Sequence, residues 1–344
     1  MFGLFKSQKS FRGAGVAALC VASALTFGAV SDAVAAERLR IAGNFPLEHT
    51  ATGAMKIFKE ELEKSTKGEV VADLFPAMQL GGAQENVDQV RSGTIFAVFT
   101  SIAYFTRSVP ELDAVNLPFL FSSRDVAFKV MDGPVGRTFD AKLGEKGFEN
   151  LGYMELGFRH VTNNVRALKT IDDFAGLKIR LQPSETHIAS FRAVGANPTA
   201  MDIKEVYSAL QQGVLDGQEN PYNIIATRRF DEVQKHLSDS GHFFDFINVV
   251  ANKKKFDKLK PEWQTAIRDA MAKAVAWQRK TAADQDLQRR DELVKRGMTF
   301  TPISLDTRKA LREATKDIVN QVRDRVGGSI VDDVLKAVKA AEAG

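Results

Sequence analysis

The stretch LDGQENPYN, residues 215–223, gathers Asp216, Gln218, Glu219, Asn220 and Asn223 into nine positions, with Gly217 and Pro221 bending the chain between them. Its amides and carboxylates supply hydrogen-bond donors and acceptors, not a nucleophile. Two arginines extend the same chemistry. Arg180 closes the short apolar run GLKIR ahead of the polar LQPSET, and Arg159 closes YMELGFR in the same way on a separate run. A guanidinium at the carboxyl end of a strand offers a planar fork of five donors, which suits a two-point grip on a carboxylate that lysine cannot match. For Arg159 an internal ion pair is an equal reading. The chemistry indicated is anion binding.

Signals for catalysis are missing. The chain contains no HExxH, GxSxG, P-loop or GxGxxG motif. His49, His160, His187, His236 and His242 show no metal-ligand spacing, and the carboxylates fall mostly on helical faces without forming an acid–base couple. Neither a metal nor a cofactor is expected.

The elements that must position these groups follow from periodicity. RLRIAGNF (38–45) alternates as a strand does, TGAMKIFKEELEKSTKG has helical spacing, EVVADLF and TIFAVFTS are further strands, and AQENVDQVRSG is a helix stopped by Gly93. This alternation argues for βαβ units and a mainly parallel sheet. The pattern restarts after residue 148, with strands in YMELGFR and GLKIR, helices in SETHIASFRAVGA and DIKEVYSALQQGV, and a returning strand FFDFINVVAN. A helical stretch then runs from Pro261 to Gly297 without an internal Gly or Pro. At ~1.5 Å per residue it reaches about 50 Å, longer than one small domain is wide, so it braces two. The expected fold class is therefore α/β with two lobes, a ligand cleft between them and a long bracing helix. The first lobe is expected over 37–157 and about 246–285, the second over 158–245 and about 286–344. Ligands of open α/β sheets bind at the carboxyl ends of strands and at domain interfaces.

The first 36 residues read as a secretory signal peptide. Lys6, Lys9 and Arg12 precede the small apolar run GVAALCVASALTFGAV, and DAVAAE offers cleavage before Ala36 or Glu37. Cys20, the only cysteine, leaves with it, so the exported chain folds without disulfides. The formal charge of +4 falls to +2, because the signal holds three basic residues and Asp32. No basic stripe interleaved with aromatics argues for nucleic acid.

The segment GLKIRLQPSETHIASFRAVGANPTAMDIKEVYSALQQGVLDGQENPYNII (176–225) resembles the solute-binding subunits of tripartite ATP-independent periplasmic (TRAP) transporters, the dicarboxylate-binding-protein family. The G-L-K-x-R strand, the G-A-x-P-T-x-M turn, the E-V-Y-x-A-L-Q helix and D-G-Q-E-N-P stand in order, and FPAMQLGG, NLPFLF and RHVTNN are similar to further family segments. The resemblance implies the two-lobed periplasmic binding protein fold. It implies a non-enzymatic periplasmic receptor, monomeric, that captures a small organic acid and delivers it to the small and large membrane subunits. Residue by residue, it makes Arg180 the clamp on the ligand carboxylate, Arg159 a second arginine that assists, and Asn220 a further donor to the same group. Asn44 and Ser101 fall on loops after the first and third strands that reach the ligand, Gln182 and Ser184 where selectivity is tuned, and Ile203 at a position aromatic in some relatives. Ala83 and Ser101 stand where sialic-acid-binding members carry acids, which argues against that ligand. The neutral polar groups suit a sugar acid, and Arg159 would suit a C4-dicarboxylate. A sensor protein with the same site, or a secreted hydrolase, are the alternatives.

Overall fold

β1 (Glu37–Gly43) takes the alternating pattern of its sequence, with Leu39 and Ile41 buried and Arg38 and Arg40 outside. In the computed structural model, which describes residues 35–343, it is the second strand of a five-stranded sheet. The export signal expected over 1–36 lies outside the described residues except for its last two. Parallel neighbours of β1 are β2 (Val70–Phe75) and β3 (Ala97–Ser101), joined through the helices Thr50–Ser65 and Ala83–Ser92. β4 (Phe148–Phe158) forms the far edge. The sheet is completed by β10 (Phe244–Asn252), which runs antiparallel to both β3 and β4.

The second sheet is built from β5 (His160–Asn163), β6 (Lys178–Leu181), β7 (Asn197–Ala200), β8 (Gly217–Asn220), β9 (His236–Asp239) and β11 (Thr299–Pro302). Its order is β11-β9-β5-β8-β6-β7, with β7, β6 and β8 parallel and β5 antiparallel to both neighbours. Both sheets are thus mixed, where a mainly parallel sheet was expected. The antiparallel members are the strands that pass between the sheets, and alternation of apolar residues carries no information on strand direction.

The chain crosses from the first sheet to the second at Phe158–His160 and returns between Asp239 and Phe244. Gly157 opens the first crossing at φ 115°, a conformation side chains rarely adopt, and the β4–β10 register shifts opposite it between Asp245 and Phe246. The two crossings are bonded to each other, the Arg159 amide donating to the Phe243 carbonyl at 2.9 Å.

The long helix is a single element, Pro261–Lys295. Its side chains Ile267, Ala270, Met271 and Ala274 join a core with Phe58, Leu62 and Met154, and the same core runs on to Ile224, Phe230 and Leu237 beside the second sheet. That shared core is how the helix braces both. The two C-terminal helices, Ile318–Val326 and Gly328–Ala343, depart from expectation. Ile318, Val322, Val331 and Val334 pack with Phe139, Phe148 and Phe246 under the first sheet, whereas the sequence order places the tail in the second lobe. Sequence order suggested the grouping, whereas burial of an apolar face decides the packing. No helix among the described residues is long and apolar enough to cross a membrane.

Midway along the brace, Gln278 is fully buried. Its Oε1 accepts from the Glu155 amide at 2.9 Å, and its Nε2 donates to the Glu155 carbonyl at 2.7 Å and to Thr50 Oγ1 at 3.0 Å. The side chain substitutes for a neighbouring strand on the covered edge of β4. Each buried backbone group left unpaired costs about 1–3 kcal/mol. Gln278→Leu is therefore expected to lower unfolding free energy by several kcal/mol in urea titrations, while Lys280→Ala, on the exposed face, stays within about 0.5 kcal/mol of wild type.

Candidate functional site

The stretch first singled out folds as a strand. Gly217–Asn220 is β8, between β5 and β6, and the expected polar bend is confined to Pro221 and the helix Tyr222–Thr227 after it. Strand pattern was invisible because Gln218, Glu219 and Asn220 are all polar and all buried. Gly217 is required by proximity, since a Cβ there would lie 2.1 Å from the Thr162 carbonyl oxygen. Gln218 donates to Thr162 Oγ1 at 2.9 Å and accepts from Asn220 Nδ2 at 2.5 Å.

Glu219 faces Arg159. The Arg159 guanidinium is fully buried and donates from Nε and Nη2 to the two Glu219 carboxylate oxygens at 2.5 and 2.7 Å, and from Nη1 to Asp245 at 2.8 Å. Nη2 also reaches the Glu219 carbonyl and, at 3.0 Å, Asn220 Oδ1. Every nitrogen of this arginine makes at least one hydrogen bond within the protein. It holds Asn220 in place. Burial works against ionisation of Glu219, but Arg159 and then the His242 ring outweigh it and hold the carboxyl well below the usual range. Burial keeps His242 itself from protonating readily. The neutral ring then donates from Nε2 to Glu219 at 3.1 Å and accepts the Ser240 hydroxyl at Nδ1.

Asp245 extends the cluster toward the cleft. It accepts from Gln182 Nε2 at 2.7 Å and from Ser101 Oγ at 2.9 and 3.0 Å. Burial raises its carboxyl above the ordinary value, Arg159 only partly offsetting this.

A small cavity opens beyond these groups. Asn44, Thr100, Ser101, Gln182, Ile203 and Asn220 line it, together with Phe45, Ala83, Tyr104, Leu156, Ile224 and Arg228. It lies where the carboxyl ends of β1, β3, β6 and β8 meet, the position that strand polarity dictates. Five of the eight residues expected at the ligand line it directly. Arg180 stands beside it, fully buried, with Nε donating to the Met201 carbonyl at 2.8 Å and Nη2 to the Tyr104 hydroxyl at 3.2 Å. Its Nη1 is buried without a partner. Ser184 is elsewhere, capping the helix Glu185–Ala193 and donating to Asp113 at 3.0 Å. A serine just before a helix is claimed by the helix's own free amides, which takes its hydroxyl out of the cleft.

Tyr104, Thr100, Arg228 and Asp245 were not singled out from the sequence. Tyr104 lies in the 3₁₀ turn after β3, one turn past Ser101. Asp245 did carry a signal: a lone acid inside the apolar FFDFINVV implies a buried cation as partner. Arg228 reads in sequence as an ordinary charge at a helix end.

Among the described residues, neither Arg180 nor Arg228 has a carboxylate within ion-pair distance, in contrast to Arg159. Arg180 Nη1, Arg228 Nε, Asn44 Oδ1 and Thr100 Oγ1 are all buried and unpaired, on three cavity-lining residues and the one beside them. Buried polar atoms are nearly always satisfied, so these four, two guanidinium donors, an amide oxygen and a hydroxyl, leave unused hydrogen-bonding capacity at one cavity. Contacts across the cleft close it. Asp202 accepts from the Ala83 amide at 3.0 Å, capping a helix of the other sheet's layer, and Arg228 Nη2 donates to the Asn44 carbonyl at 2.6 Å. Among the described residues no group of three His, Cys, Asp or Glu is placed to hold a metal.

The cluster makes a pH-dependent contribution. Removing one member of a buried pair costs about 3–5 kcal/mol, which is the loss expected for Glu219→Gln at pH 7. A carboxyl whose folded pKa is depressed stabilises above its unfolded value and loses that contribution as pH falls. The gap between wild type and Glu219→Gln should therefore narrow once the pH drops below the ordinary 4.5, as read by denaturant titrations at pH 7, 5 and 3.5. A gap that stays constant to pH 3.5 would contradict the pairing.

Residues 41–325 match the family described as bacterial extracellular solute-binding protein, family 7. The 2,3-diketo-L-gulonate-binding periplasmic protein YiaO of Escherichia coli K12 is 38% identical over 93% of this chain and 96% of its own length. The C4-dicarboxylate-binding periplasmic protein DctP of Rhodobacter capsulatus is 31% identical over 96% and 98%. Among solved structures, the sugar acid binding protein DctPAm of Advenella mimigardefordensis, in complex with galactonate, superposes with a TM-score of 0.87 at 31% identity, covering 89% of this chain and 99% of that one. The family match over residues 41–325, with a fold shared over 89% of the chain, places it in family 7 of the bacterial extracellular solute-binding proteins.

Proposed function

We propose that the chain is the periplasmic receptor of a TRAP transporter, which captures a small organic acid in the cavity and delivers it to the membrane subunits. The observation that carries this reading is Arg180, a fully buried guanidinium with an unpaired nitrogen beside a cavity whose lining holds Asn44, Thr100, Ser101, Gln182, Asn220 and Arg228 but no carboxylate. A carboxylate there would replace its lost hydration with charge-assisted bonds from Arg180 Nη1 and Asn220. Asn44, Thr100, Ser101 and Gln182 would take the hydroxyls of a sugar acid or the chain of a C4-dicarboxylate. The solutes named for similar proteins support this class, among them galactonate, succinate, D-erythronate and β-D-glucuronate. The match to a family of solute-binding proteins favours binding without turnover. Release would require the lobes to part about the crossings at Phe158–His160 and Asp239–Phe244, breaking the Asp202–Ala83 and Arg228–Asn44 contacts.

A thermal-shift screen of organic acids identifies a ligand, since saturation at 100 times the Kd stabilises by about 2.7 kcal/mol. With that ligand, calorimetry on Arg180→Ala is expected to give an affinity about two to three orders of magnitude weaker, the consequence of stranding a buried charge at ~3–5 kcal/mol. Arg180→Lys keeps the charge without the fork and should also bind distinctly worse. Near-native affinity in folded Arg180→Ala would remove the clamp from the proposal.

A further inference from the structure

Arg228 gives the cavity a second cation. It follows the helix Tyr222–Thr227, whose start is fixed by Pro221, and this short turn carries it from β8 back over the cavity wall. Its Nη2 donates to the Asn44 carbonyl at 2.6 Å and lies 3.6 Å from Met78 Sδ, and its Nε is buried with no partner. Among the described residues Asp202 is the one carboxylate whose charge is felt there, and both its oxygens already accept from amides, of Ala83 and Lys204. Arg180 is near enough to oppose its charge. Burial, and then Arg180, pull the Arg228 guanidinium down to about 10, so it remains charged at neutral pH.

Two guanidinium groups, neither with a carboxylate at ion-pair distance among the described residues, therefore stand at one buried cavity, Arg228 lining it and Arg180 beside it, where like charges repel strongly. A solute with one negative charge neutralises one of them. A solute with two neutralises both. Arg159, which the sequence offered for a second carboxylate, is committed to Glu219 and Asp245.

We propose that Arg228 is the specificity-determining residue of this cavity: resting on the receptor reading above, Arg180 and Asn220 hold one carboxylate and Arg228 takes a second, so the protein selects dicarboxylates over monocarboxylates of the same chain length. Asn44 Oδ1 and Thr100 Oγ1, both unpaired, serve hydroxyls between the two ends. Specificity is a difference of affinities, and an unneutralised buried cation disfavours the monoacid as much as the pair favours the diacid.

Matched ligands test this by calorimetry on the exported protein: galactarate against galactonate, and succinate against butyrate. The diacid is expected to bind at least tenfold tighter in at least one pair. Arg228→Gln should collapse that ratio to less than threefold, and Arg228→Lys, which keeps the charge, should retain more than half of it on a logarithmic scale. If Arg228 only latched the cleft through Asn44, Gln would weaken both members of a pair equally and leave the ratio intact, which would overturn the inference. A wild type that binds the monoacid as tightly as the diacid overturns it too, while leaving the receptor reading in place. Binding of none of the four overturns it as well; the receptor reading then falls only if no acid of the wider screen raises the melting temperature.

Discussion

The buried ion cluster of Arg159, Glu219 and Asp245 is the interaction on which the site depends. It sits where the chain passes between sheets, with Arg159 on the outgoing crossing, Asp245 at the start of the returning strand and Glu219 in the central strand β8. Three charges removed from water are costly unless each is paired and fully hydrogen-bonded. That requirement fixes their geometry, and the geometry is passed on. Asn220 is held by Arg159, and Gln182 and Ser101 by Asp245, so the polar wall of the cavity is positioned by the ion cluster behind it.

The contrast between the arginines follows from this arrangement. Arg159 is neutralised within the protein, whereas Arg180 and Arg228 keep unpaired nitrogens at the cavity, their other donors spent on neutral oxygens of Met201, Tyr104 and Asn44. Those neutral contacts orient the guanidinium groups without cancelling their charge. On the proposed receptor reading, an anion entering the cleft would meet donors that are already aimed, with little ordering left to oppose binding. The long helix, with Gln278 stitched to β4, keeps the two layers from drifting apart while leaving the cavity-closing contacts few and polar.

Much of this was legible in sequence. Apolar alternation and Gly stops located β1–β3 and their helices, the absence of internal Gly and Pro gave the long helix almost to its ends, and the resemblance of residues 176–225 led to Arg180, Asn220 and Gln182. What escaped was decided by tertiary context. β8 has no apolar residue to reveal it, because its side chains are satisfied by one another and by Arg159 instead of by a core. Ser184, which the resemblance puts among the selectivity positions, is drawn into a helix cap, and Arg228 is carried over the cavity wall by the turn after Pro221. The C-terminal helices have an apolar stripe that any complementary face would bury, and only the assembled fold selects the face under the first sheet.

A crystal structure of the protein with an acid from the screen tests the central claim most directly. The ligand carboxylate should lie within hydrogen-bond distance of Arg180 Nη1 and Asn220, with Arg159 still bound to Glu219 and Asp245. A carboxylate held by Arg159 instead, with Arg180 Nη1 still unpaired, would contradict it.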